Sequence, residues 1–294
     1  MIPCQQLLAG YLLCYNEFVM DHEMLQNTQS QIEKLARRAG QMILAAEDSA
    51  LRDVKVDTKS GRRDFVTSMD LEIQKMLMME LLEIIPSARF LCEENVPSMS
   101  EAVVLDADEL DQGICFIIDP IDGTANFVHG IRHSSTSIAM TVDGETQIGV
   151  IYDPYRDELF SACKGCGCRL NGELLPVFDV SMQNEITVFG TAPYDDSTNA
   201  PTFRLAHKLY ELSADVRRTG SAALDCCWTA CGRFGLYAEL GLSAWDFAAG
   251  KLIAEETGCI VLRIDGTPLT FKEKPSIICG RPTAVKEFLE TDSI

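Results

Sequence analysis

The stretch CFIIDPIDGTANFVHG, Cys115 to Gly130, constrains the chain more than any other. Four apolar residues run straight into Asp119, and such a run reads as a buried strand. Pro120 fixes its own φ and biases Asp119 away from helix. The strand is therefore expected to end at Asp119, with Asp119 and Asp122 in the turn beyond it. Gly123 permits close backbone approach, and TANFVHG can then begin a helix whose free amides face the aspartates. A helix N-terminus attracts phosphate, whereas two carboxylates repel it. Oxygen-seeking divalent cations resolve that conflict, and Mg²⁺ suits carboxylates combined with phosphate oxygens. The plainer alternative is an Asp-rich surface turn in which Asp122 caps the helix.

The chain has 294 residues, 47% of them hydrophobic, enough for one large domain or two small ones around a sizeable core. The formal net charge of -19 argues against nucleic-acid and membrane-surface binding, which need clustered Lys and Arg. An anionic substrate would also be repelled unless cations stood between it and the protein. Twelve cysteines come without a secretory signal: MIPCQQLLAGYLLCYNEFVMD has no positive start, and Glu17 interrupts it. Free thiols in a reducing cytoplasm are expected, and no stretch is apolar for long enough to span a bilayer.

Residues 1 to about 24 read as an extension, with Met20 and Met24 as alternative starts. From Ile32 to Glu47 the apolar positions Ile32, Leu35, Ala36, Ala39, Ile43 and Ala46 recur at helical spacing. DLEIQKMLMMELLEIIPS is a second helix, stopped by Pro86. ARFLCEEN reads as a strand ending at Glu93 and Glu94, and Pro97 to Gly113 as an acidic loop. Beyond the central motif, short apolar runs split by Asp-Gly, Asp-Pro and Asn-Gly give a meander. The C-terminal third alternates strand and helix. The expectation is layered α/β structure, with sub-domains of about 25–180 and 181–294 sharing one cleft.

More acids fall at element ends. Asp246 opens the helix WDFAAGKLIAEETG, where it could simply complement the helix dipole. Glu239 closes FGLYAELG, Glu93 closes FLCEEN, and Asp70 opens the second helix. Open α/β folds build sites at such ends. CKGCGC (Cys163, Cys166, Cys168) has a zinc-like first spacing but no matching second pair, so a turn with free thiols is favoured. Cys226, Cys227 and Cys231 read as core packing. The four histidines form no ligand pair at helical spacing.

DPIDGTANFVHG with downstream WDFAAGKLIAEETG resembles the inositol monophosphatase family, the lithium-sensitive, magnesium-dependent phosphatases. DFVTSMD and FLCEEN stand upstream in the same order, and the resemblance covers about residues 25 to 290. It implies a layered α/β/α/β/α fold similar to the sugar bisphosphatases, and a homodimer. It implies that Glu93, Asp119 and the Ile121 carbonyl hold one metal ion, and Asp119, Asp122 and Asp246 a second. Glu93 would also help hold a weaker third Mg²⁺ through water. Gly123 and Thr124 would offer amides to phosphate, and Asp70 with Thr124 would orient and deprotonate the attacking water. Glu239 would accept hydrogen bonds from substrate hydroxyls, and Gly220, Ser221 and Ala222 would line the alcohol pocket. Cys92 departs from the pattern, standing where a glycine usually precedes the paired glutamates and placing a side chain near the first metal.

The function this implies is hydrolysis of a phosphate monoester, foremost myo-inositol monophosphate, by metal-activated water. Fructose 1,6-bisphosphate, a nucleotide 3'-phosphate and histidinol phosphate are alternative substrates of the same chemistry. A non-catalytic scaffold is the third reading. It predicts a lost metal ligand, and the sequence has lost none.

Overall fold

The computed structural model describes residues 22–48, 56–58, 65–96, 99, 102–192 and 196–291. Apart from His22 to Met24, the expected extension lies outside the described residues. Helix α1 spans His22–Asp48, beginning ten residues before the expected Ile32. Leu25 and Thr28 are buried two turns and one turn ahead of Ile32 and continue its stripe. The polar Thr28 hides that continuation from an apolar count. Helix α2 spans Ser68–Ile84. Thr67 caps it, accepting the Met69 and Asp70 amides on its hydroxyl, and it stops just short of Pro86.

Strands β1 (Val56–Thr58) and β2 (Phe65–Thr67) pair antiparallel. Seven strands then form one sheet in chain order: β3 (Arg89–Cys92), β4 (Ile114–Asp122), β5 (Ser135–Val142), β6 (Glu145–Asp153), β7 (Glu158–Cys163), β8 (Cys168–Leu170) and β9 (Glu173–Leu174). Only β3 and β4 run parallel in it. The acidic stretch after Glu94 is not all loop, since Val104 bridges Phe90 and Ala107–Glu109 makes a short 3-10 turn.

A second sheet, of five strands, contains β10 (Ile186–Phe189), β11 (Asp215–Arg217), β12 (Leu236–Glu239), β13 (Ile260–Arg263) and β14 (Ile277–Gly280), in the spatial order β11-β10-β12-β14-β13. The remaining helices are α3 (Thr124–Val128), α4 (Asn199–Leu212), α5 (Ala222–Ala230), α6 (Ala244–Glu255) and α7 (Pro282–Glu290).

Every residue of β4 is buried, and its side chains alternate between two cores. Phe116 and Ile118 face α1 and α2, whereas Cys115 and Ile117 face α5 and α6. Helices α5 and α6 thus lie between the two sheets. Leu236, Ala238 and Ile278 on the far face of the second sheet meet Leu205 and Leu209 of α4 and Phe288 of α7. The result is the expected α/β/α/β/α layering. Among the described residues, no helix is long and apolar enough to cross a membrane.

Candidate active site

Strand β4 does not end at Asp119, as the sequence suggested, but runs on to Asp122. Asp119 pairs with Ser137 of β5, and Asp122 pairs with Ser135. Between these pairs Pro120 and Ile121 on β4 therefore oppose Thr136 alone on β5, a β-bulge that carries Pro120 where the ladder is already broken. Positions 135 and 137 share one face of the sheet. The bulge thus turns both aspartates to the same side, although their spacing of three would otherwise separate them.

Asp246, in the first turn of α6, brings a third carboxylate. One oxygen from each of Asp119, Asp122 and Asp246 lies within 4.8 Å of the other two. Asp246 Oδ2 also accepts the Ser243 amide at 2.6 Å, so the helix-start reading and the cluster reading both hold. Asp119 is 2% exposed, and its Oδ1 is buried without a hydrogen-bond partner. Burial, then the charges of Glu93, Asp122 and Asp246, push the Asp119 carboxyl well above its ordinary range. Burial pushes Asp122 up to about 6 against the pull of its hydrogen bonds. Asp246 is raised by burial, then by Glu93 and Asp122. Left alone, these carboxylates destabilise one another in their charged forms.

Asp122 is held from an unexpected side. Its carboxylate accepts the Ser221 hydroxyl, the Ala222 amide at 3.2 Å and the Ala223 amide at 3.0 Å. It therefore caps α5, not the helix that follows it. Two segments read as separate motifs thereby become one structure. Gly123 (φ 90°) and Gly220 (φ 93°) both have left-handed backbones, and a Cβ on Gly123 would sit 3.0 Å from the Gly220 carbonyl oxygen. Asn126 Nδ2 locks the contact by donating to the His133 carbonyl at 2.7 Å and the Thr219 carbonyl at 3.0 Å.

Glu93 reaches the cluster from β3. Its amide donates to the Ile118 carbonyl at 3.1 Å, which continues the β3–β4 pairing and sets Glu93 beside Asp119. Gln74 on α2 clamps the next residue, taking the Glu94 amide at 2.9 Å and donating to its carbonyl. Contrary to the sequence reading, Cys92 does not point into the acidic cluster. It packs with Phe90 into the core beneath α1 and α2, and burial raises its thiol pKa.

Asp70 and Thr124 are brought into contact. Thr124 Oγ1 lies 3.3 Å from Asp70 Oδ1 and 3.0 Å from the Ile121 carbonyl oxygen, which retains a second lone pair. Glu239, at the end of β12, accepts the Tyr237 hydroxyl at 2.6 Å. Burial pushes its carboxyl up to about 7, while Tyr237 and the charge of Arg218 oppose the rise. Gly190 leaves the space that the Glu239 carboxylate fills. Behind it, buried Asp225 accepts the Thr219 hydroxyl at 2.6 Å, and its second oxygen has no partner. Sequence reasoning missed Asp225, Gln74, Asn126, Tyr237 and the serines of β5. The one available signal was the polar run SSTS, at positions where a covered strand would otherwise be apolar.

The donor set of carboxylates and a carbonyl suits a hard divalent cation. The orphaned Asp119 Oδ1 and the mutual repulsion of three buried acids fit a positive ligand. Among the described residues, no other His, Cys, Asp or Glu group converges this way. In the CKGCGC turn, Cys163 and Cys166 border the core beneath α1 and α2, whereas Cys168 lies in the core on the sheet's other face. The three thiols do not gather on one ion.

Comparison with known proteins gives a consistent result. The profile of the inositol monophosphatase family matches residues 24–292. Nus factor SuhB of Escherichia coli K12 is 34% identical over 258 residues, covering 87% of this chain and 92% of its own. The Haemophilus influenzae protein of the same name is 36% identical over the same shares. Among solved structures, the extragenic suppressor protein suhB of Bartonella henselae aligns with a TM-score of 0.79 at 29% identity, covering 90% of this chain and 98% of its own. The IMPase of Thermotoga maritima aligns with a TM-score of 0.75 at 28% identity, covering 88% and 93%. A profile match over nearly the whole chain, with relatives this similar, establishes that the protein belongs to the inositol monophosphatase family.

Proposed function

We propose that this chain is a Mg²⁺-dependent phosphatase of small phosphate monoesters, with myo-inositol monophosphate the foremost substrate. The observation that carries the reading is the convergence of Asp119, Asp122 and Asp246 around an unpartnered, buried Asp119 oxygen. Glu93, Asp119, the Ile121 carbonyl, Asp122 and Asp246 would hold two to three ions. Bound there, Mg²⁺ would supply positive charge for water activation and for the phosphate and leaving oxygens. Thr124 Oγ1, hydrogen-bonded to Asp70, is set to take a proton from the attacking water as its own passes to Asp70. The Gly123 and Thr124 amides at the start of α3 face the phosphate. Gly220, Ser221 and Ala222 line the alcohol side, where Glu239 accepts substrate hydroxyls.

A family member from Staphylococcus aureus has been solved with inositol monophosphate and with 2'AMP. That supports testing nucleotide monophosphates beside fructose 1,6-bisphosphate and histidinol phosphate. The name Nus factor, carried by the curated relatives, favours a second reading as a scaffold. The two readings can coexist, because every carboxylate of the site is retained. Sensitivity to Li⁺, a homodimer, a cytoplasmic location and no direct nucleic-acid or membrane binding complete the proposal. The test is phosphate release across these substrates with Mg²⁺, before and after dialysis against chelator. Release from a polyol monophosphate that chelator abolishes is expected. Full activity in excess chelator, or no release from any substrate, overturns it.

A further inference from the structure

The turn Cys163–Lys164–Gly165–Cys166 at the end of β7 has no part in the phosphatase reading. We propose that Cys163 and Cys166 are a thiol–disulfide site, closing to an intramolecular disulfide with a low-molecular-weight disulfide as oxidant. The Cys166 amide donates to the Cys163 carbonyl at 2.9 Å. Gly165 has φ 76° and Lys164 is not left-handed, the pattern of a type II turn. The first and fourth Cα atoms of such a turn lie within about 7 Å, and a disulfide spans about 4.4–6.8 Å. Both side chains leave on the same side, toward the core beneath α1. Burial first, then the neighbouring Cys166 thiol, pushes the Cys163 thiol up to about 12.

The turn is already anchored. The Gly165 and Gly167 amides donate to the two carboxylate oxygens of Glu256 at 2.8 and 2.7 Å, so closing the disulfide calls for little backbone movement. Access is unequal: Cys163 is buried and Cys166 half-buried. His22 Nδ1 lies 3.5 Å from Cys166 Sγ, in position to take its proton. These contacts assign an order to the chemistry. Cys166 gives its proton to His22 and attacks one sulfur of R–S–S–R. That bond breaks, and the departing RS⁻ is protonated to RSH. Cys163 then attacks the Cys166 sulfur and expels the second RS⁻, which takes up the Cys163 proton as RSH. Two protein thiols are oxidised, and one disulfide is reduced to two RSH. In a reducing compartment such a bond is transient and reports redox state.

The experiment treats the full chain with oxidised glutathione, blocks remaining thiols and maps peptides by mass. Cleavage after Lys164 leaves two peptides joined only by the disulfide. The expected result is that linkage in the wild type. Cys163→Ser should stop at a stable glutathione adduct on Cys166, Cys166→Ser should leave Cys163 unmodified, and His22→Gln should slow capture several-fold. A wild type that keeps glutathione on Cys166, leaves both thiols free or links a different pair overturns the site. An unchanged rate in His22→Gln removes His22 from it.

Discussion

Thr124 Oγ1 donates to Asp70 Oδ1 at 3.3 Å, joining residues 54 positions apart. The other Asp70 oxygen takes the Thr67 amide at 2.8 Å. One oxygen of Asp70 thus serves the cap of α2 and the other serves the site, which ties the helix start to Thr124. Thr124→Val keeps the shape and removes the hydroxyl. Turnover should fall at least about 100-fold, the lower range for a lost proton-transfer group. Thr124→Ser should stay within about tenfold of wild type, because the hydroxyl returns. Equal losses in the two variants would mean that Thr124 serves packing instead.

The raised carboxyls make a signed prediction for the metal-free protein. Asp122 is raised from 3.8 to about 6 and Glu239 from 4.5 to about 7, each chiefly by burial. Between about pH 4 and pH 7 the folded state keeps protons that the unfolded chain has released. The stability these groups lend is therefore complete at acid pH and lost as pH rises through their folded values. For Asp122 alone the loss is on the order of 3 kcal/mol. Tm in chelator should fall from pH 5 to pH 8, and Asp122→Asn should flatten the fall. Mg²⁺ should restore stability most at the alkaline end. A chelated protein whose Tm climbs over that range would contradict the arrangement.

Glu239 can be displaced without being mutated. A Cβ at position 190 would collide with its carboxylate. Gly190→Ala should therefore copy Glu239→Gln, raising KM for inositol monophosphate about tenfold, the effect of roughly 1.4 kcal/mol. KM for an aryl phosphate, which lacks ring hydroxyls, should barely change. Matching losses on both substrates would assign Glu239 to the fold or to the metal ligands.

The readable parts of this fold are those whose signals are local. Thr67 and Asp70 announce α2, Pro86 stops it, and the apolar run of β4 announces a buried strand. The turn of CKGCGC follows from its glycines. The direction of Cys92 was misread, although its signal is local: Phe90 and Cys92 share one face of β3. The bulge was not legible: nothing within DPIDG says how β5 will register against it, and that register decides where Asp122 points. The grip of Asp122 on Ala222, 100 positions away, depends on two sheets closing over α5. Gln74 and Asn126 are buried polar residues whose purpose appears only with distant partners, the Glu94 backbone 20 positions on and the Thr219 carbonyl 93 positions on.

Asp246 tests the metal reading most directly, because it also has a structural duty. Its Oδ2 accepts the Ser243 amide at 2.6 Å, the return bond of a capping box at the start of α6. Asp246→Asn can keep that bond through its amide oxygen while removing the negative charge. The neighbouring acids raise the Asp246 carboxyl, so the lost charge also relieves repulsion. Tm in chelator should hold or rise, most clearly above about pH 6, where Asp122 is ionised. Binding should move the other way. The Tm gain from Mg²⁺ should shrink, and turnover should fall at least about 100-fold, or about 2.7 kcal/mol of barrier. A variant that turns over normally but loses stability in chelator would make Asp246 a cap alone, leaving Asp119 and Asp122 without a third ligand.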